Sequence, residues 1–180
     1  TVLTVSAGTD ATICSGGTAQ ISASGLGADG VYAYNWQPGN VNGATINVSP
    51  AVTTVYTVTL TDGCGTPAQT ASVTVTVAPA PTVTITSNTA AGCAPLCVNF
   101  TGQTTANCAT SAWDFGDGNT SSQSNPANCY SLSGSFTVIY TCTDVNGCVG
   151  SDTIVNMITV APEPVASIAV TPATAVLVLA

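Results

Sequence analysis

Lysine, arginine and histidine are all absent from this chain of 180 residues, against eight Asp and Glu, so the formal net charge is −8. A chain without cations cannot neutralise phosphates, which excludes nucleic-acid binding. Nor is there a base to set beside a serine or cysteine, so the machinery of nucleophilic hydrolysis is missing. Asp114 and Asp117 come nearest to a catalytic carboxylate pair, and no positioned cleft or partner accompanies them. The cysteines have nothing to lower a thiol pKa and no histidine to complete a mixed nitrogen and sulfur metal site. No enzyme activity and no cofactor are therefore expected. Long apolar runs are missing too: the most apolar stretch, Ala173 to Ala180, is too short to span a bilayer. The chain opens on Thr1 with no basic leader region, so a mature or internal segment of something longer is expected. Helical periodicity is absent, which leaves all-β as the fold class.

What remains is enough to build a core. Hydrophobic residues make up 45% of the chain, many of them Val and Ile, so disorder is not the natural reading. Charged residues are only 4%, so solubility must come from Thr, Ser, Asn and Gly. The same scarcity removes every trypsin-type cleavage site, as suits an inert, protease-resistant surface. Eight cysteines in such a chain read as disulfides, which places it outside the cytoplasm.

Alternating strands follow one another at even spacing. Ala19, Ile21 and Ala23 share one face; Tyr32, Tyr34 and Trp36 share another; Val55 to Asp62 is a long strand carrying Tyr56, and Thr70 to Val77 closes the set. A second set repeats the first. Cys14 precedes Ile21 by seven residues as Cys93 precedes Phe100; Trp36 corresponds to Trp113; Tyr56 to Leu60 aligns with Phe136 to Tyr140; and Gly63-Cys64 aligns with Gly147-Cys148. The expected architecture is two tandem antiparallel Ig-like β-sandwiches of about seven strands each. They would span residues 1–78 and 79–161, joined by the short Pro-stiffened linker Ala78-Pro79-Ala80-Pro81, with residues 162–180 a second linker and an apolar strand.

The second half also carries Trp113-Asp114-Phe115-Gly116-Asp117-Gly118, an Asn-Pro ahead of Tyr130, a Gly before an alternating strand, and a closing Asp144-x-x-Gly147. This pattern resembles PKD (polycystic-kidney-disease-type) domains over residues 81 to 161. The cysteine placement around Val98 and Asn146 is similar to repeats of large secreted surface proteins of Bacteroidota-like bacteria. The first half has Trp36-Gln37-Pro38-Gly39 in place of the turn, and is PKD-like or Ig-like. The resemblance implies a stalk or adhesin shaft: a structural subunit of an extracellular bacterial filament, self-associating or touching neighbouring repeats. Its rival is a carbohydrate- or protein-binding spacer module of a larger secreted enzyme, with a glycan or surface ligand.

Individual residues then acquire expectations. Trp36, Tyr56, Trp113, Phe115, Tyr130 and Phe136 are core, although Tyr32, Tyr34 and Trp36 also suit a sugar-stacking face. Asp114 and Asp117 offer oxygen ligands for calcium, against the stronger reading that they cap backbone N–H groups in the turn. Asn47, Asn99 and Asn119 match the N-glycosylation triplet, and Thr153 follows an Asp in an O-glycosylation pattern. Cys14 with Cys64 is the intradomain option in the first half, and the repeat correspondence pairs Cys93 with Cys148. Cys97 and Cys129 face outward from neighbouring strands, and Cys108 with Cys142 completes the set; interchain pairing is the alternative. The apolar Val176, Leu177, Val178 and Leu179 form either the start of a further domain or a strand donated to a neighbour's sheet edge.

Overall fold

The computed structural model describes residues 2–27 and 30–166. Val176 to Leu179, and with them the strand-donation expectation, lie outside the described residues.

Strands β1 (Thr4–Ala7), β3 (Ala19–Leu26) and β6 (Thr45–Val48) form one sheet in the order β1-β3-β6. Facing it, β2 (Ala11–Cys14), β8 (Gln69–Ala78), β7 (Thr54–Asp62), β4 (Tyr32–Gln37) and β5 (Val41–Asn42) form the sheet β2-β8-β7-β4-β5. The second half repeats this topology strand for strand. Its smaller sheet is β9 (Val83–Ser87), β11 (Leu96–Thr104) and β14 (Ala127–Tyr130). Its larger one runs β10 (Ala91–Cys93), β16 (Val149–Ala161), β15 (Gly134–Asp144), β12 (Cys108–Asp114) and β13 (Thr120–Ser121). The chain is all-β, two sandwiches in series. Each described sandwich has eight strands rather than seven, and the extra one matters: β2 pairs parallel with β8, and β10 parallel with β16, where wholly antiparallel sheets were expected.

The strands form where period-two alternation puts apolar side chains on one face. In β7 the buried residues are Tyr56, Val58 and Leu60; in β15 they are Val138, Tyr140, Cys142 and Asp144. Trp36 and Trp113 sit at the centres of their sandwiches, 0% and 2% exposed. Each buried indole N–H donates to a backbone carbonyl in the turn beyond, Gly43 at 2.9 Å and Gln123 at 2.9 Å. The cores differ in what surrounds the Trp. Val58 lies opposite Trp36, whereas Tyr140 stacks on Trp113 at 4.2 Å, with Phe100 at 5.8 Å on the same indole. The larger ring needs room on the facing sheet, and Gly102 supplies it: a Cβ there would overlap the Tyr140 ring.

Tyr56, Phe115 and Tyr130 are likewise buried. Phe136 is only half-buried, because a bulge between Phe136 and Val138 shifts the strand and leaves its ring against Tyr130, 4.5 Å away, at the edge of the core.

The structure also corrects the alignment of the halves. Trp36 pairs with Val58, and Trp113 with Tyr140, so Val58 corresponds to Tyr140 and Asp62 to Asp144. Gly65 and Gly147, each three residues after its Asp, both have positive φ (70° and 81°). The sequence alignment of Tyr56 with Phe136 and of Cys64 with Cys148 is thus two residues out. Ile21 likewise corresponds to Val98 rather than Phe100, since Gly8 donates to the Ser22 carbonyl as Asn88 does to that of Asn99.

The aromatic stack sets an expected stability effect. Trp113→Ala should destabilise the second sandwich by about 3–5 kcal/mol, whereas Val155→Ala on the exposed face should change stability by less than about 0.5 kcal/mol. Urea unfolding followed by circular dichroism measures both; equal small losses would show that the indole does not anchor this core.

Candidate functional site: the stapled junction

In sandwich architectures, sites are built at the ends, where strands and turns meet. The end that joins the two sandwiches is the most constructed place in this molecule. Strand β2 lies beside β8 with Cys14 level with Ala78, the last residue of β8 and the first of the linker, and Ser15 N–H donates to the Ala78 carbonyl at 3.0 Å. From the other side comes the β15–β16 hairpin. Its turn is held by Asp144, a buried carboxylate whose Oδ1 accepts from the backbone N–H of Asn146 at 2.8 Å and of Cys148 at 2.9 Å. This fixes Cys148 at the hairpin tip against the linker, with its sulfur 4.0 Å from the Ala78 carbonyl oxygen.

The two sulfurs are bonded: Cys14 and Cys148 form a disulfide with a Cα–Cα distance of 5.4 Å across 134 residues of sequence. Around it Ala78, Pro81 and Cys148 are buried. Gly150, two residues past the cysteine, lies so close under the linker that a Cβ would overlap the Pro81 carbonyl oxygen.

This overturns the pairings Cys14–Cys64 and Cys93–Cys148. Cys14 lies at the linker end of β8, and Cys64 in the hairpin at its other end; the ten residues of β8 separate them by roughly 30 Å at about 3.3 Å per residue. Cys93 and Cys148 are divided in the same way by the 13 residues of β16. Both expected bonds assumed partners within one sandwich, and the topology places those partners at opposite ends. Cys64 is exposed in its hairpin, and Cys93 is exposed and outside any disulfide.

The other four cysteines are bonded inside the second sandwich. Cys97 and Cys129 are direct cross-strand neighbours on β11 and β14, and Cys108 reaches Cys142 through a register shift between Cys108 and Thr110. With separations of 32 and 34 residues, each contributes about 3–4 kcal/mol by restricting the unfolded chain.

Asp114 and Asp117 both cap backbone N–H groups in the turn. Asp114 Oδ1 accepts from Gly116 N–H at 2.9 Å, and Asp117 Oδ1 from Asn119 N–H at 3.0 Å. The second Asp117 oxygen takes the Asn128 amide at 2.7 Å and the Asn119 amide at 3.0 Å. Both Asp117 oxygens are thus taken by backbone or amide donors and Asp114 has one oxygen so engaged, as turn-capping carboxylates do, and among the described residues no three acidic or thiol ligands converge. Behind this turn Tyr130 donates to the Phe115 carbonyl at 3.1 Å. Burial pushes its phenol up to about 12, opposed by the hydrogen bond with Asn128 and assisted by the charges of Asp117 and Asp114.

The remaining candidates are dispersed. Tyr32 donates to the Gly27 carbonyl and Tyr34 accepts from Gly25 N–H, so both hydroxyls tie down backbone beside the core Trp36. Asn47, Asn99 and Thr153 point outward from β6, β11 and β16. Asn119 is exposed, but its amide nitrogen is held by Asp117 and Asn128. What sequence reasoning missed is Asp144 and Gly150 as builders of the junction; the signal was the spacing Asp144-x-x-Gly147-Cys148-x-Gly150.

Residues 76–160 match the family model described as PKD domain, which establishes the resemblance seen in the second half. The chain is similar to the PKD1 domain of Vibrio anguillarum Epp at 28% identity, covering 46% of this chain and 96% of that one with a TM-score of 0.39. It is similar to the PKD1 domain of the Vibrio cholerae metalloprotease PrtV at 27% identity, over 45% and 96%, with a TM-score of 0.39. The fibronectin(III)-like modules of Clostridium thermocellum CbhA align at 14% identity over 88% of this chain and 95% of that one, with a TM-score of 0.44. No curated protein matches the chain. PKD domains are typically non-catalytic modules, often extracellular and structural or accessory.

Two outcomes are expected at the DFGDG turn. Tyr130 has a folded-state pKa above its ordinary value of 10.0, so the neutral form is favoured by folding. That stabilisation is complete below about pH 10 and is lost as pH rises to about 12, an effect of about 2 kcal/mol. The stability gap between the wild-type protein and Tyr130→Phe, from urea titrations at stepped pH, should therefore be flat to pH 10 and shrink above it; a gap that stays constant to pH 12 refutes the burial argument. Asp117→Asn should cost about 1–3 kcal/mol by setting amide against amide, and millimolar calcium should leave the wild-type melting temperature unmoved.

Proposed function

We propose that this chain is a non-enzymatic structural segment of an extracellular bacterial surface filament or adhesin, in which consecutive β-sandwiches are held at a set angle by a disulfide. The observation that carries the reading is the Cys14–Cys148 bond, which crosses the linker instead of closing a sandwich on itself. A free linker of four residues lets neighbours swing, whereas a second covalent connection beside it removes most of that freedom. Such stiffening benefits a shaft. The PKD match in the second sandwich, its two internal disulfides and the lack of any tryptic site support an exposed, oxidising, protease-rich setting. Partners on this reading are sandwiches of the same kind, in the same chain or in neighbouring copies.

Electron microscopy of native material kept non-reducing should show slender rods one sandwich wide. In the Cys14→Ser, Cys148→Ser double variant, both sandwiches should stay folded while small-angle scattering reports a broadened range of end-to-end distances. Dispersed particles from the native source, together with unchanged scattering in the variant, would refute the shaft and return the chain to the class of binding spacers.

A further inference from the structure

The lower end of the second sandwich is a copy of the lower end of the first, without its cover. Cys93 stands level with Ala161 on the parallel pair β10 and β16, as Cys14 stands level with Ala78. Ala94 N–H donates to the Ala161 carbonyl at 2.9 Å, as Ser15 does to Ala78. The segments that follow also match, Ala161-Pro162-Glu163-Pro164 against Ala78-Pro79-Ala80-Pro81. Burial is where they differ. Cys14 is half-buried, and Ala78 and Pro81 are buried, under the β15–β16 hairpin; Cys93, Ala161 and Pro164 are all exposed, and Val165 is 93% exposed.

From this equivalence we infer that Cys93 is the upper half of a second staple. Its partner is the hairpin cysteine of a further sandwich of the same kind, following Pro164. The geometry specifies that partner. The cysteine must stand four residues after a turn-capping Asp, as Cys148 stands after Asp144, in a hairpin that reads Asp-x-x-Gly-Cys with a Gly two residues later to pass under the linker. The first sandwich does not carry this device: four residues after Asp62 comes Thr66, whose N–H and hydroxyl both bind the Asp62 carboxylate. A second copy of this chain docked through its first sandwich would offer Cys64, which stands two residues after Asp62 rather than four and so outside the position that the clamp presents to the linker; the occupant that matches the geometry is a downstream sandwich of the PKD-matching type. This holds whether the array is a filament or a spacer.

The bond forms by thiol–disulfide exchange. The two thiols lose two protons and two electrons to the disulfide of an extracytoplasmic thiol oxidant, which leaves as a dithiol. Cys93 is not offered as a site on its exposure alone, since its counterpart in the same molecule makes this bond through the same strand pair and the same hydrogen bond.

The test uses residues 1–164 followed directly by a second copy of residues 82–161 in which that copy's counterpart of Cys93 is replaced by Ser, so that the Cys93 peptide is unique. The oxidised protein is alkylated, cleaved with pepsin and mapped by mass spectrometry. Cys93 should be recovered bonded to the added copy's counterpart of Cys148, with near-complete loss of alkylation at both. In Cys93→Ser that counterpart should become fully alkylated while Cys14–Cys148 persists. The added copy's two internal disulfides report that it has folded. With those formed, a Cys93 that is still alkylated, or is bonded to Cys64, overturns the inference. The same mapping of protein isolated from its source is the second measurement: Cys93 joined to an Asp-x-x-Gly-Cys peptide supports the inference, and Cys93 recovered as a thiol overturns it.

Discussion

The parallel pairing of a short strand with the last strand of its own sandwich is the constraint on which the rest of this molecule depends. Antiparallel neighbours would have carried Cys14 toward the hairpins of the first sandwich. Running parallel to β8 instead, β2 delivers its final residue beside the point where the chain leaves for the linker. A cysteine so placed cannot reach the far hairpin of its own sandwich, but it sits directly above the near hairpin of the next. The disulfide then needs no special trajectory, because linker and hairpin have already brought Cys148 to the spot. A modest hydrogen-bonded pair of strands thus decides whether a bond closes a domain or joins two.

The hairpin that supplies the other half illustrates how a chain without cations handles carboxylates. A buried charge must be paired or satisfied by several donors, and no Lys, Arg or His is available for pairing. Buried Asp144 solves this with backbone N–H groups, and the more exposed described Asp residues also accept from backbone N–H. Asp10 accepts from Thr74, Asp62 from Thr66, Asp114 from Gly116, Asp117 from Asn119, Asp144 from Asn146 and Cys148, and Asp152 from Ile85. The acidic residues act as turn and edge clamps. At Asp144 and Asp62 they shape the same hairpin in both sandwiches, and the residue four places on determines what each hairpin does: a sulfur in one, a hydroxyl in the other.

Much of this was legible in the sequence, and the misses share one cause. Alternation locates strands and says which residues face inward, so Trp36, Trp113 and Tyr130 could be placed in cores, and Cys97 and Cys129 on outward faces, before any coordinates. A period of two, however, is blind to a slip of two. Moving Tyr56 from its true partner Val138 to Phe136 keeps every inward residue inward, and nothing in the pattern objects. What breaks the degeneracy is a feature without period, such as the positive-φ glycine three residues after Asp62 and after Asp144. Of the four expected disulfides, Cys97–Cys129 and Cys108–Cys142 are present, and the other two failed for a related reason. Faces can be read from alternation, but which end of a sandwich a residue occupies depends on strand direction, and the parallel β2 and β10 left no mark in the spacing.

The scarcity of charge finally bears on why a covalent staple stands where many domain junctions rely on polar contacts. Surface ion pairs contribute about 0–1 kcal/mol each and weaken as salt rises. Here they are unattainable in any case, since both sandwiches carry only negative side chains and can meet only as like charges. Packing alone is thin at the junction, where the linker passes over a glycine and a single hairpin makes the contact. A disulfide fixes the angle without regard to ionic strength, and its geometry is set by the hairpin clamp rather than by long flexible side chains. With no basic residues on such a surface, orientation between neighbours comes from the packing of Ala78, Pro81 and Cys148 and from the sulfur bridge, with backbone hydrogen bonds on either side holding the two cysteines in place.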